Sequence, residues 1–219
     1  MNLLCLADIH GKSAAVRAAL GAAPSADVIV VAGDITHLGG DSEAEEVLAS
    51  LSHTGTPVVA VAGNMDRAGV RTWLAQKGLD IHGRGVIING AGFFGLGGGT
   101  HSPFSTPWEL EDDEAARLLE AAYADVARAP LKVLVSHAPP LETELDRVRQ
   151  GVHGGSRPVH SFLLSHRVDL CVCGHIHEGG GSQAVIGGCT CANVGPLKNG
   201  RFALVALDRE SITVTWRKT

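Results

Sequence analysis

Asp169-Leu170-Cys171-Val172-Cys173-Gly174-His175-Ile176-His177 decides how the rest of the chain is read. Its first part is a near-continuous apolar run, the mark of a strand buried on both faces. A glycine ends the run, and two histidines follow at alternate positions. Residues 131–135 form a second such run and lead into Ser136-His137. Toward the N-terminus the pattern recurs three times. The strand at 3–7 is followed by Asp8 and His10, that at 28–32 by Gly33 and Asp34, and that at 57–62 by Gly63 and Asn64.

Between these strands lie segments that read as helices, at 13–20, 42–51, 69–76 and 109–127. The last opens on Glu109-Leu110-Glu111-Asp112-Asp113-Glu114, whose charges suit a helix N-terminus. Shorter strands are expected at 79–82, 86–89 and 91–96. Another helix is expected from Ser156-Arg157-Pro158, with Ser156 as cap and Pro158 in the first turn. The tail is different: strands at 184–186, 190–194, 202–208 and 211–216 follow at hairpin spacing with no helix between them. The expectation is one α/β domain over residues 1–219, with two packed sheets and helices on their outer faces.

The composition supports a folded chain. Of 219 residues, 45% are apolar and 19% charged, which excludes a disordered polyampholyte. Aromatics are only 4%, so the core must be built from Val, Leu, Ile and Ala. Glycine, at 28 residues, exceeds the ~7% norm, and the excess gathers in loops such as 90–99, 154–155 and 179–181. The net charge of −5 argues against a broad nucleic-acid surface, which needs a basic stripe. No run approaches the ~18 apolar residues of a membrane span. Residues 1–8 lack a basic leader pattern and read as a first strand, so a cytoplasmic location is the expectation. Five cysteines form no disulfide framework. Cys171 with Cys173 and Cys189 with Cys191 read as small core residues on strands, because structural zinc prefers C-x₂₋₄-C on turns.

Ligands of open α/β sheets bind beyond the carboxyl ends of the strands. Asp8, His10, Asp34, Asn64, His137, His175 and His177 all fall there, and they converge if their strands share a sheet and a direction. Four imidazoles, two carboxylates and an amide oxygen are too many donors for one tetrahedral ion. They suit two divalent ions of the Mn, Fe, Zn, Ni or Co type.

The ordered set D-x-H, G-D, G-N, H and G-H-x-H resembles the calcineurin-like metallophosphoesterase family. Its span, from Asp8-Ile9-His10 to Gly174-His175-Ile176-His177, extends with the flanking strands over nearly the whole chain. Ser136-His137-Ala138-Pro139-Pro140, Gly151-Val152-His153-Gly154-Gly155-Ser156 and Asn193-Val194-Gly195-Pro196 resemble its small bacterial and archaeal branch. The resemblance implies a four-layer α/β/β/α sandwich with two mixed sheets and a dinuclear centre, manganese being the favoured metal. It implies that Asp8, His10 and His177 hold one ion, that Asn64, His137 and His175 hold the other, and that Asp34 bridges. Water activated between ions about 3.5–4 Å apart then attacks a phosphoester in line. A phosphodiester is favoured; a monoesterase, a nuclease for short nucleotides and a metal-bearing scaffold are the alternatives.

The chain departs from the family pattern at Met65. Many members read Gly-Asn-His-Asp, and that histidine can protonate the leaving oxygen, whereas a thioether cannot. His37, His101 and His153 are candidate replacements, and His101 and His153 join Asp34 and Asn64 in the expected catalytic set. Asp66 is expected to orient its loop. Arg157, near the start of the helix at 156, is a candidate for holding substrate. The expected partner is a small phosphoester, a nucleotide among the options, with no extended nucleic acid and no membrane; a homo-oligomer is left open.

Overall fold

The computed structural model describes residues 1–23, 25–103 and 105–219, with Gln150 described by its backbone alone. Strands β1 (Asn2–Leu6), β2 (Val28–Ala32) and β3 (Val58–Val61) run parallel. On the other side of β1, β10 (Arg201–Leu207) and β11 (Ile212–Lys218) continue this first sheet antiparallel, giving the order β11-β10-β1-β2-β3. The second sheet has a parallel centre of β5 (Ala91–Leu96), β6 (Leu131–Ser136), β7 (Leu170–Cys173) and β9 (Cys189–Asn193). Antiparallel edges, β4 (Gly85–Ile88) beside β5 and β8 (Ser182–Ile186) beside β9, close it.

Parallel neighbours need long crossovers. Helix α1 (Ser13–Gly21) joins β1 to β2, and α2 (Asp41–Leu48) joins β2 to β3. Helix α3 (Ala68–Gln76) follows β3, α4 (Asp112–Val126) joins β5 to β6, and α5 (Arg157–Ser165) joins β6 to β7. Alternation along each strand then sorts the side chains. Leu3, Cys5, Val28, Val30, Phe93, Val133, Leu170 and Val172 fill the space between the sheets. Leu4, Leu6, Ile29, Val31, Phe94, Leu134, Cys171 and Cys173 face the helices. The result is the expected four-layer sandwich. Each fully buried side chain such as Phe93 or Leu4 contributes about 1.5–3 kcal/mol.

Three expected elements come out differently. Residues 79–82 make only isolated bridges, Ala60 with Asp80 and His82 with Gly95. The Asp80 carboxylate accepts the His82 N–H at 3.2 Å, and this local bond takes the place of a ladder. Helix α4 starts at Asp112 rather than 109, because the Glu109 carboxylate is occupied by Ser102 and Thr106. Helix α2 ends at Leu48, and the chain tightens into a 3₁₀ turn at Ala49–His53. At α5 the cap is as expected: Ser156 Oγ accepts the Val159 N–H at 3.3 Å, and Pro158 sits in the first turn. All five cysteines are free and buried. The side-chain groups able to hold an ion, among the described residues, contain no cysteine.

Candidate metal centre

The strands that carry the candidate ligands do not share one sheet. Asp8, Asp34 and Asn64 follow β1, β2 and β3 of the first sheet, whereas His137 and His175 follow β6 and β7 of the second. The seven residues therefore meet across the sandwich. Packing of two sheets, and not one sheet edge, builds the site.

Its backbone is unusual. Asp8, His10, Asp34 and His175 have φ of 50°, 47°, 50° and 67°, the left-handed region that side chains other than glycine rarely adopt. Such conformations cost roughly 1–3 kcal/mol each and persist where the surroundings impose them. Several groups impose them here. Buried Asp66 accepts the backbone N–H groups of Gly63, Ile35 and Thr36 at 2.8, 3.1 and 2.8 Å and the Thr36 hydroxyl at 2.8 Å, so it locks the loops after β2 and β3 together. Both Asp8 oxygens accept the His175 N–H at 3.1 Å. The Asn193 amide lies 3.2 Å and 2.9 Å from the Gly174 and Ile176 carbonyls and so holds the G-H-x-H turn. Gly33, at φ +86°, leaves room only because it has no Cβ; a methyl there would strike the His137 ring. A Cβ at Gly63 would strike Asp34 in the same way.

Two groups of donor atoms result. Asp8, His10 and His177 form one, with His10 Nε2 and His177 Nε2 3.3 Å apart and His177 Nε2 3.6 Å from Asp8 Oδ1. Asp8, Asp34 and His137 form the other. Asp34 spans the two: Oδ1 lies 3.3 Å from His137 Nε2, and Oδ2 lies 3.7 Å from His10 Nε2. Asn64 Oδ1 is 2.9 Å from His137 Nε2. His175 stands beside the second group: its ring packs edge-on to His137 with centroids 5.0 Å apart.

The donor chemistry fits cations. His137 Nδ1 lies 2.8 Å from the Ala32 carbonyl, which can only accept, so Nδ1 carries the hydrogen. In the neutral ring Nε2 is then a bare lone pair, and it faces the Asn64 and Asp34 oxygens. Three acceptors converging on one point call for a positive charge between them. Without an ion the carboxylates disturb one another. Burial above all, with Asp8 and Asp66 adding to it against the pull of His137, pushes Asp34 up to about 7. Burial also opposes the charge on Asp8, yet the bond from His177 and the charges of His137 and His10 outweigh it, and its pKa falls. Burial pulls His137 down, but Asp34 and Asp8 more than compensate, and it rises. Burial lowers His10 to about 4 and His175 to about 3, which keeps both rings in the neutral form that ligates metals.

The replacement candidates fall in different settings. His101 is 62% exposed and held between Glu109 Oε2 at 3.3 Å and Glu111 Oε1 at 2.7 Å; its bond to Glu111 raises its pKa. His37 meets the far side of His10, Nδ1 to Nδ1 at 3.4 Å. His153 Nδ1 lies 2.7 Å from Oδ1 of fully buried Asp146. Its loop reaches the centre: Gly154 packs against Ile176, between the two histidines of the G-H-x-H turn. Arg157 lines a groove with Asp112 and Asp113 between α4 and α5, away from the seven residues. Sequence reading gave no role to three groups. Asp146 carries no motif of its own, and Asn193 stood only at the head of the Asn193-Val194-Gly195-Pro196 resemblance. Lys198, whose N–H donates to the Asp8 carbonyl at 3.1 Å and whose charge helps to lower His10, gave only the turn signals of its Gly and Pro neighbours.

The profile of the calcineurin-like phosphoesterase family matches residues 1–179. An uncharacterized protein of Methanocaldococcus jannaschii is 36% identical over 183 residues, 81% of each chain. A crystal structure from Thermus thermophilus superposes with TM-score 0.77 at 18% identity, over 98% of this chain and 97% of that one. A purple acid phosphatase from yellow lupin (Lupinus luteus) seeds reaches TM-score 0.69 at 12% identity, over 100% and 51%. An archaeal phosphodiesterase reaches 0.54 at 14% identity, over 99% and 100%.

Proposed function

The chain belongs to the calcineurin-like phosphoesterase family, a family of metal-dependent phosphoester hydrolases, and from that premise we propose that it is a phosphodiesterase working with two divalent ions, manganese first among them. The observation that carries this reading is the convergence of Asp8, His10, Asp34, Asn64, His137 and His177 at the joint edge of the two sheets. Asp8, His10 and His177 would hold one ion; Asn64, His137 and His175 would hold the other; Asp34 would serve both. When bound, the ions supply Lewis-acid charge at the phosphoryl oxygens and make water nucleophilic near neutral pH.

The chain's own residues do the rest. Asp66, Asn193 and the left-handed turns hold the ligands in place before substrate arrives. Met65 turns its N–H to Asp34 Oδ1 at 2.9 Å and offers no acid, so nothing beside Asn64 protonates a leaving alkoxide. His153 is the group we assign to that step. Asp146 holds its Nδ1, and Nε2 would then be the atom that donates to the leaving oxygen. His101, engaged by two carboxylates, is not needed in this scheme. A diester suits the site because its phosphoryl group carries one negative charge less than a monoester facing the same buried carboxylates.

The test is kcat/KM on matched aryl and alkyl diesters and monoesters with manganese added. Diesters should lead, and aryl leaving groups should exceed alkyl ones. Faster monoester turnover overturns the diester assignment, and turnover on no phosphoester overturns the enzyme reading. No helix among the described residues is long and apolar enough to cross a membrane, and a cytoplasmic setting is part of the proposal.

A further inference from the structure

Three cations collect on an otherwise acidic chain where the first sheet ends. Arg201 opens β10, and its register partner on β11 is Lys218; Arg217, the next residue back, alternates to the other face of the strand. Like charges directly across an antiparallel pair are destabilising. None of the three makes an ion pair with a carboxylate among those found between described residues. These residues wall a groove of about 360 Å³ with Gly180, Gly181, Val194, Phe202 and Trp216. Buried Val194 gives it an apolar base, the half-buried Trp216 ring lies at its side, and no acidic residue lines it; the Phe202 side chain packs into the core on the other face of the strand. Arg201 crosses the rim, with Nη1 donating to the Gly180 carbonyl at 2.5 Å.

The groove adjoins the candidate metal centre. Gly180 lies three residues beyond His177 and donates its N–H to the His177 carbonyl at 3.2 Å. Trp216 pairs with Ala203, which pairs with Cys5, so its backbone stands two strands, about 10 Å, from β1 three residues before Asp8. Cations around an apolar, aromatic cleft match a ligand with a flat ring and a phosphate.

We propose that this groove binds a nucleoside phosphate, with the base against Trp216 and the phosphate between Arg201 and Lys218. It would hold the part of the substrate beyond the scissile ester, so the substrate class is a nucleotide diester that carries a second phosphate. That last step rests on the phosphodiesterase reading; occupancy of the groove does not.

The full chain is titrated with adenosine 5′-monophosphate, adenosine and inorganic phosphate, with manganese and again after chelation, and tryptophan fluorescence is followed. Trp73 and Trp108 are buried, so Trp216 is the ring a ligand can reach. The monophosphate should quench saturably in both conditions and bind at least tenfold more tightly than adenosine or phosphate alone. Trp216→Phe should abolish the quenching. Arg201→Ala with Lys218→Ala should weaken binding tenfold or more; Lys218→Glu, an exposed change that leaves the Arg201 bond intact, should do the same if the double variant misfolds. Unchanged affinity in Lys218→Glu, or phosphate binding as tightly as the monophosphate, overturns the proposal. The chelated arm needs no turnover, so a failed hydrolysis assay leaves it standing. Hydrolysis by a chain whose groove binds no monophosphate removes the groove assignment alone.

Discussion

His137 is fully buried and Asn64 nearly so, whereas the His177 side chain, across the same centre, is 32% exposed. The difference has a structural source. His137 stands on the second sheet with its Nδ1 bound to the Ala32 carbonyl of the first, so it lies inside the joint of the sandwich. His177 stands on a loop at the rim, and the His10 side chain, 7% exposed, lies just beneath it with His37 and Lys198 around it. The inner half belongs to the core and is held as the core is held. The outer half is reachable by water, chelators and substrate through His177.

Asp34 tests whether the halves are joined, and its effect should be the largest. Asp34→Asn should deplete both ions and lower turnover by several orders of magnitude, with the far-UV CD spectrum retained. Metal content and diester hydrolysis are measured on one sample; near-wild-type activity at full metal loading would end the dinuclear reading.

The second test separates the halves. His137→Ala should cost about 2–4 kcal/mol in stability, through a lost internal bond and a cavity, as well as metal. His177→Ala should remove one ion per chain and shift stability by no more than about 0.5 kcal/mol. Equal melting-temperature losses in the two variants would show that inner and outer halves are not distinct. Graded chelation of the wild type should likewise release metal in two steps.

A smaller effect is expected at the outer rim. Asp146→Asn should free the His153 ring and slow alkyl-ester turnover by up to ~10²-fold, the lower end of what general acid catalysis contributes, while changing activated aryl diesters little. Met65→His added to that variant should recover part of the alkyl activity. No loss on alkyl esters in Asp146→Asn would place the acid elsewhere.

The smallest effect concerns pH and lies outside both halves. Burial lowers His82 to about 4, and its Nδ1 accepts the Gly97 N–H at 2.9 Å. A depressed pKa means that the fold favours the neutral ring. Its contribution is complete above the unfolded value of about 6.5 and is lost as pH falls toward 4. His82→Gln should therefore cost more at pH 7 than at pH 4.5, and melting curves at the two pH values measure it. Identical pH slopes in wild type and variant would remove His82 from the acid response.

Much of this was written in the sequence. Apolar runs ending in Gly, Asp, Asn and His showed strands with donors at their carboxyl ends, because buried strands cannot avoid continuous hydrophobicity and turns cannot avoid glycine. The strand–helix alternation of the first part, and the helix-free tail, carried the two packed sheets. The N-cap at Ser156 was legible for the same local reason. The element boundaries at 79–82 and at the start of α4 were not, since the bonds to Asp80 and Glu109 that set them involve side-chain geometry. Within the site, the residue types came from sequence and their grouping from tertiary structure alone. Asp8 joins both donor groups while His175 stands beside one, because two sheets folded at different points of the chain had to meet before any distance existed. The left-handed φ of Asp8, His10, Asp34 and His175 has no sequence signature, for it is imposed by bonds from Asp66, Asn193 and Ala32 that reach across the chain. The Asp146–His153 pair, seven residues apart, and the Arg201–Lys218 pair across one hairpin are close in the chain, yet neither is set until the segment between its members has folded back.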